Sequence, residues 1–253
     1  MTKTRALFAA CTLVAWSAMV FGQSVNTLTA QEKAQGWQLL FDGKTFKGWH
    51  SAPAPAARGR AGAGAGRAAG GPAAGGRAGA PAAPAPGQTG TPKPCTAKGA
   101  AALTVPAGSS HWEVVDGALT GCGEPAGYLN SDQSYKNFVL AIDFKCSADT
   151  NSGVYVRSPK ENGGYEVQIW RQQPAGYNTG GIVNTAKTAK EYTFKPDQWN
   201  HYEITADGDH LVVVLNGDTT VDVHDKAFAE GNIRLQYQMY PVAFRNVKIK
   251  PLP

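Results

Sequence analysis

The chain has 253 residues, 42% hydrophobic and 17% charged, with 30 glycines and a formal charge of +5. That length holds one or two domains. The positive charge is local. Lys3 and Arg5 open the chain, and Arg58, Arg60, Arg67, Arg77 and Lys93 lie in a stretch without an acid, so the remainder carries about −2. Nucleic-acid binding needs a basic face on the folded body, and no such face is expected here.

The opening "MTKTRALFAACTLVAWSAMVFGQS" has a basic start, an apolar run from Ala6 to Phe21 and small residues after it. It reads as a secretory signal peptide over 1–22, removed after Gly22. A mature chain that starts at Gln23, soluble and secreted or periplasmic, is the expectation, with no stable membrane span once the signal is cleaved. Export allows a disulfide among Cys95, Cys122 and Cys146. Cys95 and Cys122 sit in loop-like sequence and are the favoured pair, with Cys146 left at the end of a strand as a buried thiol.

Residues 52–94 are almost wholly Ala, Gly and Pro with scattered Arg. A segment without aromatic or branched aliphatic residues buries too little apolar surface to offset its ordering entropy, so a disordered insertion is expected. The preceding "GWQLLFDGKTFKGWH" is too short to fold alone and must pack on the chain beyond the insertion. The insertion then interrupts a single domain spanning 23–253, where a long loop costs little.

From His111 onward the pattern is β. "HWEVVDGALTG" gives two strands about an Asp116-Gly117 turn. "NFVLAIDFKCS" alternates, with Leu140, Ile142 and Phe144 on one face. "GVYVRS" and "GYEVQIW" come next, then hairpin signals at Asp207-Gly208 and Asn216-Gly217, then "NIRLQYQ" and "AFRNVKIKPL". Many short strands with regular turn signals, and no amphipathic helix of any length, predict an all-β sandwich or barrel.

In a two-sheet sandwich Val154, Val156, Val167, Ile169, Ile233 and Leu235 would face inward. The other face would carry Tyr155, Arg157, Glu166, Gln168, Trp170, Arg234, Gln236 and Gln238, with Asp143. Planar amides match hydroxyls that both donate and accept, and aromatic rings match the C–H faces of a sugar. A carbohydrate cleft is one reading of this face. An exposed sheet with Arg157 paired to Glu166 across neighbouring strands is the other.

The ordered motifs "GWQLLFDGKTFKGW", "WEVVDGALTG", "YKNFVLAIDFK", "NSGVYVR", "GYEVQIW", "QWNHYEI", "VVLNGDTTVD" and "PVAFRNVKIK" resemble the 3-keto-disaccharide hydrolase domain family. The resemblance implies a concanavalin A-like jelly-roll sandwich of two antiparallel sheets, related in fold to family 16 glycoside hydrolases and legume-type lectins. Members often carry a His where this chain has Gln238, and an acid soon after the strand that here ends in Trp170. The Glu-x-Asp-x-x-Glu strand of family 16 enzymes is absent, and with it the usual pair of carboxylates.

The implied activity is cleavage of glycosides oxidised to a ketone at C3. The ketone acidifies the C2 proton, so a base can remove it and the C1 substituent departs; water then adds to the enone. Such a site needs a base, a positive group or donor for the ketone oxygen, and orienting contacts. Glu166 is the candidate base and Asp143 the second candidate acid. Arg157 would stabilise the enolate or hold Glu166. Tyr155, Gln168, Trp170, Gln236 and Gln238 would bind sugar, and the long loop after Trp170 would add Tyr177 and Asn178. The alternative is a non-catalytic carbohydrate-binding module of the same fold. No cofactor is fixed by the sequence, and a divalent metal such as Ca²⁺ stays open, since "ADTNSG" and "LNGDTTVD" carry oxygens it could use; turn formation explains both without metal.

Overall fold

The computed structural model describes residues 24–53, 101–102, 110–122, 126–159, 163–190 and 194–253. The signal segment, most of the Ala/Gly/Pro-rich insertion and Cys95 lie outside the described residues. The described strands, numbered in chain order, are β1 Gln38–Leu39, β2 Trp49–Pro53, β3 Ala101–Ala102, β4 His111–Val115, β5 Ala118–Cys122, β6 Gly127–Tyr135, β7 Phe138–Cys146, β8 Asn151–Ser158, β9 Tyr165–Ile169, β10 Asn200–Asp207, β11 His210–Leu215, β12 Asp218–His224, β13 Gly231–Met239 and β14 Val242–Pro251. A five-residue helix, α1 (Ala30–Ala34), precedes them. No helix among the described residues is long and apolar enough to cross a membrane.

The strands form two antiparallel sheets packed as a jelly-roll sandwich. The larger has nine strands in the order β12-β11-β10-β7-β14-β5-β4-β3, with β1 also paired to β14; the smaller runs β2-β6-β13-β8-β9. The short opening segment does pack on the later chain, and on both sheets: β1 joins β14 and β2 joins β6. Trp49 donates its indole N–H to Leu40 O at 2.7 Å, holding that crossover against the core.

Alternation fixes the core. Phe138, Leu140, Ile142 and Phe144 of β7 point inward and are at most marginally exposed, as are Tyr202, Ile204, Leu211, Val213, Phe244 and Ile249 of the neighbouring strands. The smaller sheet answers with Leu129, Val154, Val156, Val167, Ile169, Ile233 and Leu235. Each such side chain contributes about 1.5–3 kcal/mol when taken out of water. The tight hairpins come from their turn residues. Asp116-Gly117 and Asn216-Gly217 both have positive φ at each position, the twist-compatible turn that Asn-Gly and Asp-Gly favour. The helix is short, but its signature is present: the Thr29 side chain accepts from Glu32 N–H, and Glu32 accepts from Thr29 N–H.

Arg157 departs from the expected pattern. The pairing of β8 with β13 slips by one residue between Tyr155 and Ser158, and Arg157 takes a φ of +50°. The bulge turns its side chain away from the Glu166 face and into the end of the sandwich. There it is fully buried, donating Nε–H to Lys136 O (2.6 Å), Nη1–H to Gly208 O (2.7 Å) and Phe228 O (3.3 Å), and Nη2–H to Asn137 Oδ1 (3.2 Å). Removing the guanidinium strands these oxygens. Arg157→Lys, which cannot reach them all, is expected to lower stability by on the order of 3–5 kcal/mol, read by chemical denaturation. A loss below about 1 kcal/mol would show that water replaces the fork.

Candidate functional site on the outer face of the smaller sheet

Cross-strand register assembles the site. One row runs His50, Asn130, Arg234, Tyr155, Glu166 over β2, β6, β13, β8 and β9. The next row, two residues along each strand, reads Ala52, Tyr128, Gln236, Gly153, Gln168. These side chains share the outer face because strand alternation has already committed their neighbours to the core. They are not an ordinary solvated surface. Tyr128, Asn130, Tyr155, Gln168, Arg234 and Gln236 are all buried.

Glu166 is the centre of this arrangement. It retains partial exposure, but burial of its carboxyl pushes its pKa up to about 7, with the Tyr155 hydrogen bond offsetting part of the rise. Burial and the adjoining Glu166 raise the Tyr155 phenol well above its ordinary value, so it stays protonated and donates. Tyr128 meets Tyr155 edge-to-face at 5.5 Å between ring centroids, and their hydroxyls are hydrogen-bonded. Gln236 Nε2–H approaches Tyr155 Oη at 3.5 Å and Gln238 Oε1 at 3.4 Å. Arg234 lies over the Tyr128 ring at 5.0 Å and donates to Pro159 O at 3.0 Å.

Four buried polar atoms on this face have no partner among the described residues: Asn130 Oδ1, Gln236 Oε1, Asn151 Nδ2 and Arg234 Nε. A buried unpaired donor or acceptor costs about 1–3 kcal/mol. Two acceptors and two donors on one face make a complementary surface for a molecule that both donates and accepts. Gly153 shapes the floor. A Cβ there would lie 3.0 Å from Glu166 Oε1 and 3.1 Å from its Cγ, so the glycine leaves the space over which Glu166 leans.

The expected residues separate into groups. Glu166, Tyr155, Gln168, Gln236 and Gln238 stand together, and Trp170 continues the alternate positions 166 and 168, buried just past β9. Arg157 is elsewhere, spent on the carbonyls at the end of the sandwich. Asp143 is on the larger sheet, and its expected place beside Glu166 is corrected accordingly. It accepts from His201 Nδ1 (2.8 Å), Asn246 Nδ2 (2.7 Å) and Arg245 Nε (3.4 Å). Burial would raise its pKa, but those hydrogen bonds and the charges of His201 and Arg245 hold it below the ordinary value. Tyr177 lies beneath Lys187 Nζ at 5.3 Å, and Asn178 Oδ1 accepts from Gln173 N–H, so both belong to the loop after Trp170. The two segments considered for Ca²⁺ use oxygens in turns: the Ser147 and Thr150 hydroxyls pair at 3.0 Å, and Asn216 Oδ1 accepts from His201 N–H. Sequence reasoning placed Arg234 on the face without a role and missed Tyr128 and Asn130. The alternation of Tyr128, Asn130 and Asp132 in "GYLNSDQSY" was the available signal.

The two packed antiparallel sheets place the chain among the jelly-roll sandwich proteins. Residues 36–250 match the 3-keto-alpha-glucoside-1,2-lyase-like domain, and the chain belongs to that family. A candidate glycosyl hydrolase of Parabacteroides distasonis superposes with a TM-score of 0.61 at 21% identity, covering 91% of this chain and 100% of that one. A second from the same organism gives a TM-score of 0.49 at 25% identity over 56% of this chain and 90% of that one. The carbohydrate-binding module CBM66 of Bacillus subtilis gives 0.43 at 18% over 55% and 91%. No curated protein matches the chain.

This geometry generates two expected outcomes. The Glu166 carboxyl is raised in the fold relative to 4.5, so its folding contribution is complete below about pH 4.5 and is lost as pH rises to about 7. Glu166→Gln should therefore gain stability relative to the parent across that window, by on the order of 2 kcal/mol at pH 8, and match it at pH 4. Parallel denaturation curves at both pH values would instead place the carboxylate in water. Gly153→Ala, whose backbone conformation an alanine can adopt, should leave stability nearly unchanged while displacing Glu166 and weakening any ligand held by this face more than tenfold, read by calorimetry.

Proposed function

We propose that the protein is an exported enzyme that cleaves 3-keto-glycosides, with Glu166 as its base. The carrying observation is a carboxyl held at about 7 inside a buried polar face, hydrogen-bonded to Tyr155 and one strand away from it in a row that also contains Arg234. A base with a pKa near the operating pH is the one that best exchanges protons with a carbon acid. Family membership supports the substrate class.

In this reading the Glu166 carboxylate takes the C2 proton, and the electron pair moves onto the C3 oxygen as an enolate. Arg234 and the tyrosine hydroxyls supply the positive charge and donors for that oxygen, the role first expected of Arg157. The enolate collapses, the C1–O bond breaks, and the departing oxygen takes a proton. The C1–C2 enone then gains hydroxide at C1 and a proton at C2, so the net change is hydrolysis. Gln168, Gln236, Asn130 and Asn151 would orient the hydroxyls, and the unpaired atoms on this face support that assignment. A basic and then apolar leader over 1–22 supports export.

The test is incubation with a 3-keto-glucoside and the unoxidised glucoside in deuterated water, with products followed by mass spectrometry. Cleavage of the keto-sugar alone, with one deuterium at C2, is expected. The rate should rise with pH through a limb near 7, and Glu166→Gln should lower kcat by at least about 100-fold. Tight binding of sugar with no turnover in either protein would establish the binding-module alternative instead.

A further inference from the structure

A substrate that meets Glu166 and Arg234 together lies in a fixed direction across the smaller sheet. C1 and C3 are the two ring neighbours of C2. With C2 over Glu166 on β9 and the C3 oxygen drawn across β8 toward Arg234 on β13, C1 points the other way, past β9. The loop after Trp170 stands there. It pairs on the free edge of β9: Gln168 N–H donates to Gly181 O and Val183 N–H to Glu166 O, both at 2.9 Å, about an antiparallel bridge of Val167 with Ile182. Ile182 is buried with Val167, so alternation turns Gly181 and Val183 outward beside Gln168 and Glu166.

From that edge the loop rises over the outer face. A Cβ on Gly181 would meet Asn178 O at 3.1 Å and Ala186 O at 3.2 Å, so Asn178 stands over Gly181, next to Gln168. The wall is held from within: Gln173 Oε1 accepts from Tyr177 N–H, and Asn178 Oδ1 accepts from Gln173 N–H. Two of its features are left open to a ligand. Thr179 donates its N–H to Trp170 O and is 6% exposed, yet its Oγ1 is buried without a partner among the described residues. The wall is also basic. No acid occurs from Val167 to Lys190, while Arg171 and Lys187 are exposed and form no ion pair among the described residues. Lys187 Nζ lies 5.3 Å from the centre of the Tyr177 ring, which fixes its charge on the wall.

We propose that this loop is the leaving-group subsite and that it selects an acidic leaving group, one whose carboxylate lies beside Lys187 and Arg171 while Thr179 Oγ1 meets a polar atom of the same group. The inference rests on the reading of Glu166 as the base. Nothing on the face repels such an anion at the loop: Glu166 is the one acid in its two rows, and Asp132, at the far end, is paired with His50 at 2.7 Å. Exposed cations attract a ligand through solvent, so they act on its capture, and salt screens them.

The experiment compares two 3-keto-glucosides of one size, with 4-carboxyphenyl and 4-carbamoylphenyl leaving groups, on the full mature protein. Their cleavage is followed at low and high salt, and their affinity is measured by calorimetry on Glu166→Gln. The carboxylate should be preferred by at least about tenfold in kcat/KM and in affinity at low salt, and the preference should shrink as salt rises. Lys187→Gln, an exposed change, should cut it to about threefold or less. Equal kcat/KM and equal affinity for the two glucosides overturn the inference and leave the Glu166 reading standing. So does a preference that neither salt nor Lys187→Gln reduces. Cleavage of neither glucoside overturns the Glu166 reading instead, and the leaving-group subsite falls with it.

Discussion

A single buried guanidinium organises the end of this sandwich from which the functional face takes its register. Arg157 is a full charge removed from water, and only a complete set of acceptors can hold it there. The fold supplies carbonyls from Lys136, Gly208 and Phe228 and the Asn137 amide, drawn from three separate connections. Meeting them requires the side chain to leave the plane of its own strand, and the bulge in β8 with positive φ at Arg157 provides that. Up to the bulge, β8 keeps strict alternation, so Tyr155 and Gly153 reach the outer face opposite Glu166 and Gln168. The structural charge and the functional face are thus two consequences of one backbone irregularity.

The functional face itself sits in an unfavourable state by folding criteria. Glu166 is kept where ionisation costs energy, and four polar atoms around it lack partners. A sequence selected for stability alone would fill these positions with apolar residues or complete the hydrogen bonds. Such costs are expected where binding or catalysis needs groups that are already desolvated and oriented before the ligand arrives. Asp143 makes the contrast. It too is an acid on an outer sheet face, but with His201, Asn246 and Arg245 around it the carboxylate is fully accommodated, and its pKa moves the other way. One acid is satisfied and structural; the other is strained toward protonation and available.

Much of the fold was legible because alternation and turn chemistry are local. The inward residues of β7, β8, β9 and β13 could be read from period two, and the hairpins at Asp116-Gly117 and Asn216-Gly217 from their dipeptides. What alternation cannot say is which sheet a strand joins. Asp143 obeys the outward phase of β7 as faithfully as Glu166 obeys that of β9, yet β7 lies in the larger sheet and β9 in the smaller. Arg157 was misplaced for a different reason. A bulge shifts phase by one residue, and β-branched neighbours such as Val156 give no warning of it. Strand β6 was missed because "NSDQSY" is polar at nearly every position; its burial comes from pairing between β2 and β13, a tertiary fact.

The two outer faces also show how differently a sheet can carry chemistry. On the smaller sheet the proposed base is one carboxyl, isolated from other charges by Tyr155 and tuned by burial, as a proton acceptor that reloads at neutral pH would need to be. On the larger sheet the polar groups meet in close pairs: His111 with Glu113, His201 with Asp143, His210 with Asp222 and His224 with Asp209. Pairing of that kind fixes side-chain positions and occupies the carboxylate oxygens, which suits holding structure and is poor for taking a proton from carbon. Isolation within a buried row, more than residue type, is therefore what singles out Glu166 among the acids of this chain. A carboxyl can remain near neutrality only where no cation stands beside it, and Arg234 stands one strand further away, across Tyr155.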